Sequence, residues 1–199
     1  MFTGIVEEIG IIKAIVKTLM GLKFFIGCKT ILSDMKIGDS ISVNGVCLTV
    51  TEFNAEGFYA EAVAETLRCS NLGLLQKNSF VNLERAMTLQ QRIGGHLLQG
   101  HVDGVGEIIK IEAEGDAWLV SIKFPKSLRP YLINKGFVGI DGMSITIIDI
   151  VDDIFRVTLI PHTRAVTITQ YYQAGTKVNL EVDMLAKYLE NFTRVNSAK

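Results

Sequence analysis

Two of the three histidines in the chain, His96 and His101, stand among glycines near its middle. Histidine is the side chain best suited to moving a proton near neutral pH. Gly94, Gly95 and Gly100 would let the backbone turn sharply or approach a ligand closely. The segment is therefore a candidate for acid–base chemistry. A hinge between two domains is the alternative that the same composition allows.

A thiol and a hydroxyl offer a second kind of chemistry. Cys47 stands two residues before Thr49, and Ser144 stands two residues before Thr146. Alternation along a strand places the members of each pair on the same face. A thiol or hydroxyl can add to a substrate carbon, and a histidine within hydrogen-bond reach can take the proton. Small residues buried on strands would explain each pair taken alone.

Several classes of function lack support in the sequence. The spacing of His96, His101 and Cys47 matches no metal-binding motif, so no metal site is expected. Neither a dinucleotide-binding glycine fingerprint nor a P-loop is present, so no nucleotide cofactor is expected. The formal net charge is −1, and no long run of basic residues occurs. Binding to nucleic acid or to a membrane surface is therefore not predicted.

The composition is that of an ordinary globular protein. The chain has 199 residues, of which 48% are hydrophobic and 21% are charged, enough for one domain or two small ones. The N-terminus does not have the pattern of a signal peptide, and no apolar run approaches the roughly 18 residues of a membrane helix. Cys28, Cys47 and Cys69 do not form a disulfide framework, so a cytoplasmic location is expected.

The elements that must position these residues are short strands. Runs of valine, isoleucine, threonine and phenylalanine alternate with polar residues and are broken by glycine, asparagine and aspartate, which is typical of closely spaced antiparallel strands. Residues 44–50 align with 141–147, and residues 81–84 are identical to 178–181. The chain is thus two copies of one unit. Each copy is predicted to close into a small β-barrel, which removes exposed strand edges.

The end of the chain has a different pattern and no counterpart in the first copy. Asp183 is a candidate helix N-cap. Apolar residues then recur on one helical face: Met184, Leu185, Tyr188, Leu189, Phe192 and Val195. Because a short helix is marginal in water, this face must be buried on its own barrel or against other subunits. The predicted division is a first barrel at 1–96, a second at 97–182 and a helix at 183–199.

The two copies differ at the positions that could do chemistry. Gly4-Ile5-Val6 aligns with Gly100-His101-Val102, and Cys47 aligns with Ser144. Glu65 aligns with His162. Two similar pockets with unlike acid–base groups would suit two like molecules in unlike roles.

Seven segments together resemble the alpha-type riboflavin synthases, a family with paired lumazine-binding repeats, and the resemblance covers essentially the whole chain. The most specific of them is the Gly-Gly-His segment at 94–96 with Gly-His-Val-Asp at 100–103. The other six are residues 1–7, 44–50, 65–67, 81–86, 141–146 and 159–163.

The resemblance implies an all-β fold of two six-stranded Greek-key barrels and a C-terminal helix that gathers three subunits. It implies the dismutation of two molecules of 6,7-dimethyl-8-ribityllumazine, which exchange a four-carbon unit to give riboflavin and 5-amino-6-ribitylaminouracil, without a cofactor. The active site would form between the N-terminal barrel of one subunit and the C-terminal barrel of a neighbour. Association with lumazine synthase, the enzyme that makes the substrate, would also be conceivable. The rival interpretation is a non-catalytic antenna protein that binds lumazine or flavin.

The resemblance also implies roles for particular residues. His101 would transfer protons, and Cys47 or Ser144 would add to ring carbon 7 or orient water toward it. The remaining implied site positions would bind the substrate: Gly4, Ile5, Val6, Leu48, Thr49, Glu61, Ala62, Val63, Ala64, Glu65, Thr66, Gly100, Val102, Lys135, Asp141, Ile145, Thr146, Thr158, Leu159, Ile160, Pro161, His162 and Thr163.

Overall fold

The first half of the chain folds into a closed six-stranded antiparallel barrel. The computed structural model describes residues 1–197, and it describes side chains as far as Arg194. The strands are β1 (Glu8–Lys17), β2 (Gly21–Gly27), β3 (Ser40–Val43), β4 (Val46–Asn54), β5 (Gly57–Val63) and β6 (Phe80–Arg85). They close in the order β1-β2-β5-β4-β3-β6, with every neighbouring pair antiparallel.

The second half repeats this barrel. Its strands are β7 (Gly104–Glu114), β8 (Ala117–Lys123), β9 (Phe137–Ile140), β10 (Met143–Val151), β11 (Ile154–Leu159) and β12 (Lys177–Val182). They close in the order β10-β11-β8-β7-β12-β9, which is the same circle as in the first barrel. The prediction of an all-β chain with two barrels is confirmed.

The alternation of the strands fills each barrel with apolar side chains. Phe58 in the first barrel and Phe155 in the second hold matching positions, and both are fully buried. Register shifts also recur at matching places, beside Ile12 in β1 and beside Ile108 in β7. Such bulges bend a strand and help a small sheet to close on itself. Replacing either phenylalanine by alanine would cost about 3–5 kcal/mol of stability.

The two barrels meet at a pair of tight turns. Asn44-Gly45 joins β3 to β4, Asp141-Gly142 joins β9 to β10, and all four residues have positive φ. A Cβ on Gly45 would lie 2.6 Å from the backbone nitrogen of Gly142, so glycine is required where the turns touch. Asn179 donates to the carbonyl of Asn44 at 2.7 Å, and Asn82 of the other barrel donates to the carbonyl of Asp141 at 2.9 Å.

Between residues 1 and 197, three α-helices and four short 3-10 helices accompany the strands. α1 (Ala64–Cys69) follows β5, α2 (Pro161–Val166) follows β11, and α3 (Met184–Ser197) follows β12. The predicted cap of α3 is confirmed, because the carboxylate of Asp183 accepts the backbone N–H of Leu185 at 2.9 Å. The end of the predicted helical unit, residues 198 and 199, and the side chain of Val195 lie outside the described part. Within residues 1–197, no helix combines the length and the apolar character needed to cross a bilayer.

Candidate functional site

The segment that leads into each copy lies across the barrel of the other copy. These leading segments are residues 2–7 and 98–103, and they meet through paired backbone hydrogen bonds between Phe2 and Leu98, at 2.8 and 3.0 Å. The carbonyl of Gly100 accepts the N–H of Cys47 at 2.9 Å, and the carbonyl of Gly4 accepts the N–H of Ser144 at 2.9 Å. Each candidate site is therefore built from both copies.

The first site is an open cleft of about 370 Å³ on the first barrel. Cys47 lies on its wall at the start of β4, and His101 reaches it from the leading segment of the second copy. The cleft is lined by Val46, Cys47, Glu65, Thr66, Cys69, Ser70, Gly100, His101 and Val102. A thiol, an exposed imidazole and a carboxylate thus share one cleft, which is the equipment for addition and proton transfer.

The second site surrounds Ser144 on the second barrel and is partly covered. His96 Nδ1 lies 2.6 Å from Ser144 Oγ, and the imidazole stacks on the ring of Phe137 with 5.2 Å between centroids. Gly95 crosses directly over the serine, since a Cβ on this glycine would lie 2.5 Å from Ser144 Cβ. In the described part of the chain, Gly100 lies over Cys47, but no histidine hydrogen-bonds to the thiol as His96 does to Ser144. The two sites therefore differ in access as well as in their reactive groups.

Two buried glutamates hold the leading segments in place. Glu84 accepts the N–H groups of Thr3 and Gly4 at 2.6 and 3.1 Å. Glu181 accepts the N–H groups of Gln99 and Gly100 at 2.6 and 3.0 Å. The two glutamates are equivalent residues of the repeat, at the ends of β6 and β12. Their carboxylates set the position of Gly4 over Ser144 and of Gly100 over Cys47.

Burial changes the ionisation of both anchors and of the histidine. It raises the pKa of Glu181 to about 7, and it also raises the pKa of Glu84, against the hydrogen bonds that favour the charged carboxylates. Burial lowers the pKa of His96, and the nearby Asp183 opposes that change only weakly. His96 is therefore neutral at neutral pH, and an unprotonated Nδ1 can accept the hydroxyl proton of Ser144.

The fold brings several of the expected site residues to these two places. Glu65, Thr66 and Gly100 to Val102 reach the cleft beside Cys47. Gly4 reaches Ser144. Thr49 and Thr146 are exposed, and each lies two residues beyond Cys47 or Ser144 on the same face of its strand. Pro161 and His162 are exposed at the start of α2. The side chains of Leu48, Ala62 and Leu159 instead point into the barrel cores, so only their backbones can face a ligand.

Asp141 and Lys135 stand apart from the cleft. Asp141 lines no part of it and is 1% exposed. Its carboxylate accepts hydrogen bonds from Asn179 N–H at 2.8 Å, from Asn71 at 3.1 Å and from the Tyr172 hydroxyl at 2.6 Å. These hydrogen bonds give Asp141 a structural role between the barrels, and its contact with the substrate stays a prediction. Lys135 is exposed in the turn before β9, in a positive-φ conformation.

Sequence reasoning missed two features of the site. His96 was a candidate for proton transfer, but its pairing with Ser144, 48 residues away, leaves no mark in the spacing. Glu84 and Glu181 did leave a signal, because each ends the identical tetrad Val-Asn-Leu-Glu of the repeat. A buried acid kept at the same place in both copies indicates an anchor for backbone N–H groups.

The barrels and their paired sites define a class of protein with duplicated ligand-binding barrels. A family model described as the lumazine binding domain matches residues 3–86 and 99–183. A riboflavin synthase of Bacillus subtilis (strain 168) is 44% identical over 96% of this chain and 89% of its own length, and one of Actinobacillus pleuropneumoniae is 46% identical over the same shares. The crystal structure of LumP complexed with 6,7-dimethyl-8-(1'-D-ribityl) lumazine superposes with a TM-score of 0.83 at 30% identity, covering 92% of this chain and 99% of that one. The chain belongs to the riboflavin synthase family of lumazine-binding proteins.

Proposed function

We infer that this chain is a riboflavin synthase. It converts two molecules of 6,7-dimethyl-8-ribityllumazine into riboflavin and 5-amino-6-ribitylaminouracil, by moving a four-carbon unit from one molecule to the other. The observation that carries this inference is the pair of sites, alike in architecture and unlike in reactive groups. One compound serves as donor and as acceptor, so a duplicated site fits the reaction. The identity of 44–46% to proteins named riboflavin synthase supports it.

The reactive groups have separate tasks in this proposal. The methyl group on ring carbon 7 of the lumazine is acidic, because the carbanion is delocalised into the ring. His101, exposed in the cleft beside Cys47, moves the proton of this methyl group. The thiol of Cys47 and the hydroxyl of Ser144 are the two candidates to add to ring carbon 7 or to orient water toward it. His96 takes the hydroxyl proton of Ser144 across their 2.6 Å contact.

Binding energy does much of the remaining work. Backbone groups of the leading segments and of residues 61–66 and 158–163 bind the pyrimidine edge, while Thr49, Thr146 and neighbouring polar side chains hold the ring and the ribityl hydroxyls. Holding two reactants in register replaces a bimolecular encounter, which can supply about 7–11 kcal/mol of the barrier. Electrons are redistributed between the two molecules, so no external cofactor is needed.

Assembly into a homotrimer belongs to the same proposal. Four apolar side chains on one face of α3 are 55–65% exposed: Leu185, Tyr188, Leu189 and Phe192. Three such helices packed together would bury these faces and bring the first cleft of one subunit to the second site of a neighbour. Leu189→Glu should reduce the mass measured by light scattering to that of one chain. Association with lumazine synthase, a cytoplasmic location and the division at residues 96 and 182 stay predictions.

The decisive test is anaerobic incubation of the purified protein with 6,7-dimethyl-8-ribityllumazine alone. The absorbance spectrum should shift toward that of riboflavin, with one riboflavin formed for every two lumazines consumed. Loss of this activity in His101→Ala would support the role of the imidazole. Tight binding without turnover would overturn the enzyme and favour a binding protein. If the protein neither binds nor converts the lumazine, both the enzyme and the binding-protein interpretations are wrong.

A further inference from the structure

We propose that Lys187 of α3 is a positioning residue that locks the segment carrying His101 in place. The Nζ atom of Lys187 lies 2.7 Å from Asp103 Oδ1, and Asp103 is two residues from His101. This inference rests on the proposed function, because it concerns the role of His101 in that reaction.

The segment around His101 is held at its two ends and not at the histidine itself. On one side, Glu181 accepts the N–H groups of Gln99 and Gly100. On the other side, the N–H of Asp103 donates to the carbonyl of Leu180 at 2.8 Å. The Asp103 carboxylate accepts the N–H of Val182 at 2.9 Å. Lys187 binds the other oxygen of this carboxylate, so the salt bridge completes the second anchor.

The first copy shows that a cation is part of this anchor. Glu7 corresponds to Asp103, and Arg85 corresponds to Val182. Glu7 accepts the N–H of Arg85 at 2.7 Å, as Asp103 accepts that of Val182, and the guanidinium of the same Arg85 donates to Glu7 at 3.0 Å. Val182 is uncharged, so it cannot replace the guanidinium of Arg85 in the second copy. Lys187 of α3 supplies the cation there instead. Both copies therefore have a carboxylate that binds a backbone N–H and a cation, although the cation comes from a different element in each copy.

This arrangement connects α3 to the cleft. Lys187 lies in the first turns of α3, on the same helix as the exposed apolar face of Leu185, Leu189 and Phe192. The side chains of Lys187 and Asp103 are only 29% and 23% exposed, so their geometry is restricted by packing. When the apolar face of α3 packs against other copies, Lys187 fixes the helix to the segment that carries His101.

The test compares Lys187→Met with Lys187→Arg and with a matched control. Lys177→Met is the control, because Lys177 pairs with Glu107 at the same distance of 2.7 Å on the same barrel but at a more exposed position. Hydrogen exchange of the backbone amides at 100–103 is measured together with kcat and KM for 6,7-dimethyl-8-ribityllumazine. We expect Lys187→Met to speed exchange at 100–103 and to lower kcat, each about three- to fivefold, with KM little changed. Lys187→Arg should restore both values, and Lys177→Met should leave both as in the unmodified chain.

Three results would overturn the proposal. Unchanged exchange at 100–103 in Lys187→Met would show that the salt bridge holds nothing. Faster exchange throughout the second barrel would make Lys187 a general stabilising residue. Faster exchange found only in samples whose mass has fallen would assign the effect to assembly. Hydrogen exchange can be measured without turnover. If the protein does not make riboflavin, the proposed function is wrong, but exchange at 100–103 still tests whether Lys187 holds this segment.

Discussion

The imidazole of His96 and the hydroxyl of Ser144 lie 2.6 Å apart, with the ring held flat against Phe137. Among the described residues, no histidine hydrogen-bonds to Cys47, and His101, which lines the same open cleft, is exposed. The hydroxyl therefore has a fixed base, whereas the thiol, which is intrinsically the stronger nucleophile, lies in the open cleft.

His96→Asn separates a proton-accepting role of His96 from a positioning role. The asparagine amide can still hydrogen bond to Ser144, but it cannot take a proton. We expect kcat to fall about 10- to 100-fold, and Ser144→Ala should add little to this loss because the two residues act as one unit. Since burial lowers the pKa of His96, the activity of the unmodified chain should persist through pH 6.5 and decline only at lower pH. Full activity of His96→Asn would reduce the histidine to a structural neighbour.

Gly95→Ala should damage the second site specifically. The new Cβ would lie 2.3 Å from the carbonyl of Thr3 and 2.5 Å from Ser144 Cβ, and neither neighbour can move without shifting backbone. We expect a loss of about 1–3 kcal/mol in the free energy of unfolding, measured with urea, together with a loss of turnover. Gly73→Ala is the control, because its Cβ would meet nothing closer than 3.6 Å. Equal stability of the two variants would contradict the close packing of Gly95.

Asp141→Asn should flatten the dependence of stability on pH. Burial raises the pKa of Asp141 to about 7, so the folded state keeps a proton that the unfolded state releases near pH 4. The contribution of Asp141 to the free energy of unfolding should therefore be largest below pH 4. It should fall by on the order of 1–3 kcal/mol as the pH rises to 7. Glu181 contributes in the same direction and window, so the slope should become smaller but not vanish.

The first copy provides the converse of this experiment. Asn44 stands where Asp141 stands in the second copy, and its side chain accepts the N–H of Asn82 at 2.7 Å. Asn44→Asp places a second buried carboxyl at the junction of the barrels, so thermal unfolding at pH 7 should occur at a lower temperature than at pH 5. If neither Asp141→Asn nor Asn44→Asp changes the pH dependence of stability, a carboxyl group at the junction of the barrels is not desolvated.

The three cysteines should differ in their rates of alkylation by iodoacetamide. Burial raises the pKa of the Cys28 thiol to about 12, so Cys28 should stay unmodified in the folded protein. Cys69 is exposed, but its hydrogen bond to Glu65 raises the pKa of the thiol and should slow its reaction. Peptide mapping by mass spectrometry should therefore find Cys47 modified first, in step with the loss of activity, and riboflavin should protect it. If the loss of activity instead parallels the alkylation of Cys69, the reactive thiol is the one on α1.

Much of this protein can be predicted from its sequence, because the evidence is local or repeated. Alternation of apolar and polar residues predicted closely spaced strands. Their breaks at glycine, asparagine and aspartate fall at turns in the structure, as at Asn44-Gly45, where both residues have positive φ. The duplication of Val-Asn-Leu-Glu at 81–84 and 178–181 predicted two copies of one barrel. Asp183 was predicted as a helix cap because a cap depends only on the few residues beside it.

The tertiary structure alone decided which residues meet. The alignment of the copies matches Gly4 with Gly100 and Cys47 with Ser144, but it does not say which leading segment covers which barrel. In the structure the leading segments cross, so Gly100 covers Cys47 and Gly4 covers Ser144. The tertiary structure also makes Asp141 a buried link between the barrels, which its position in a turn of the sequence does not indicate. These contacts join residues far apart in the chain, and they depend on how two closed barrels pack against each other. Periodicity and local propensity carry information about neighbours in sequence and about burial, but not about which of two equivalent surfaces a segment will cover.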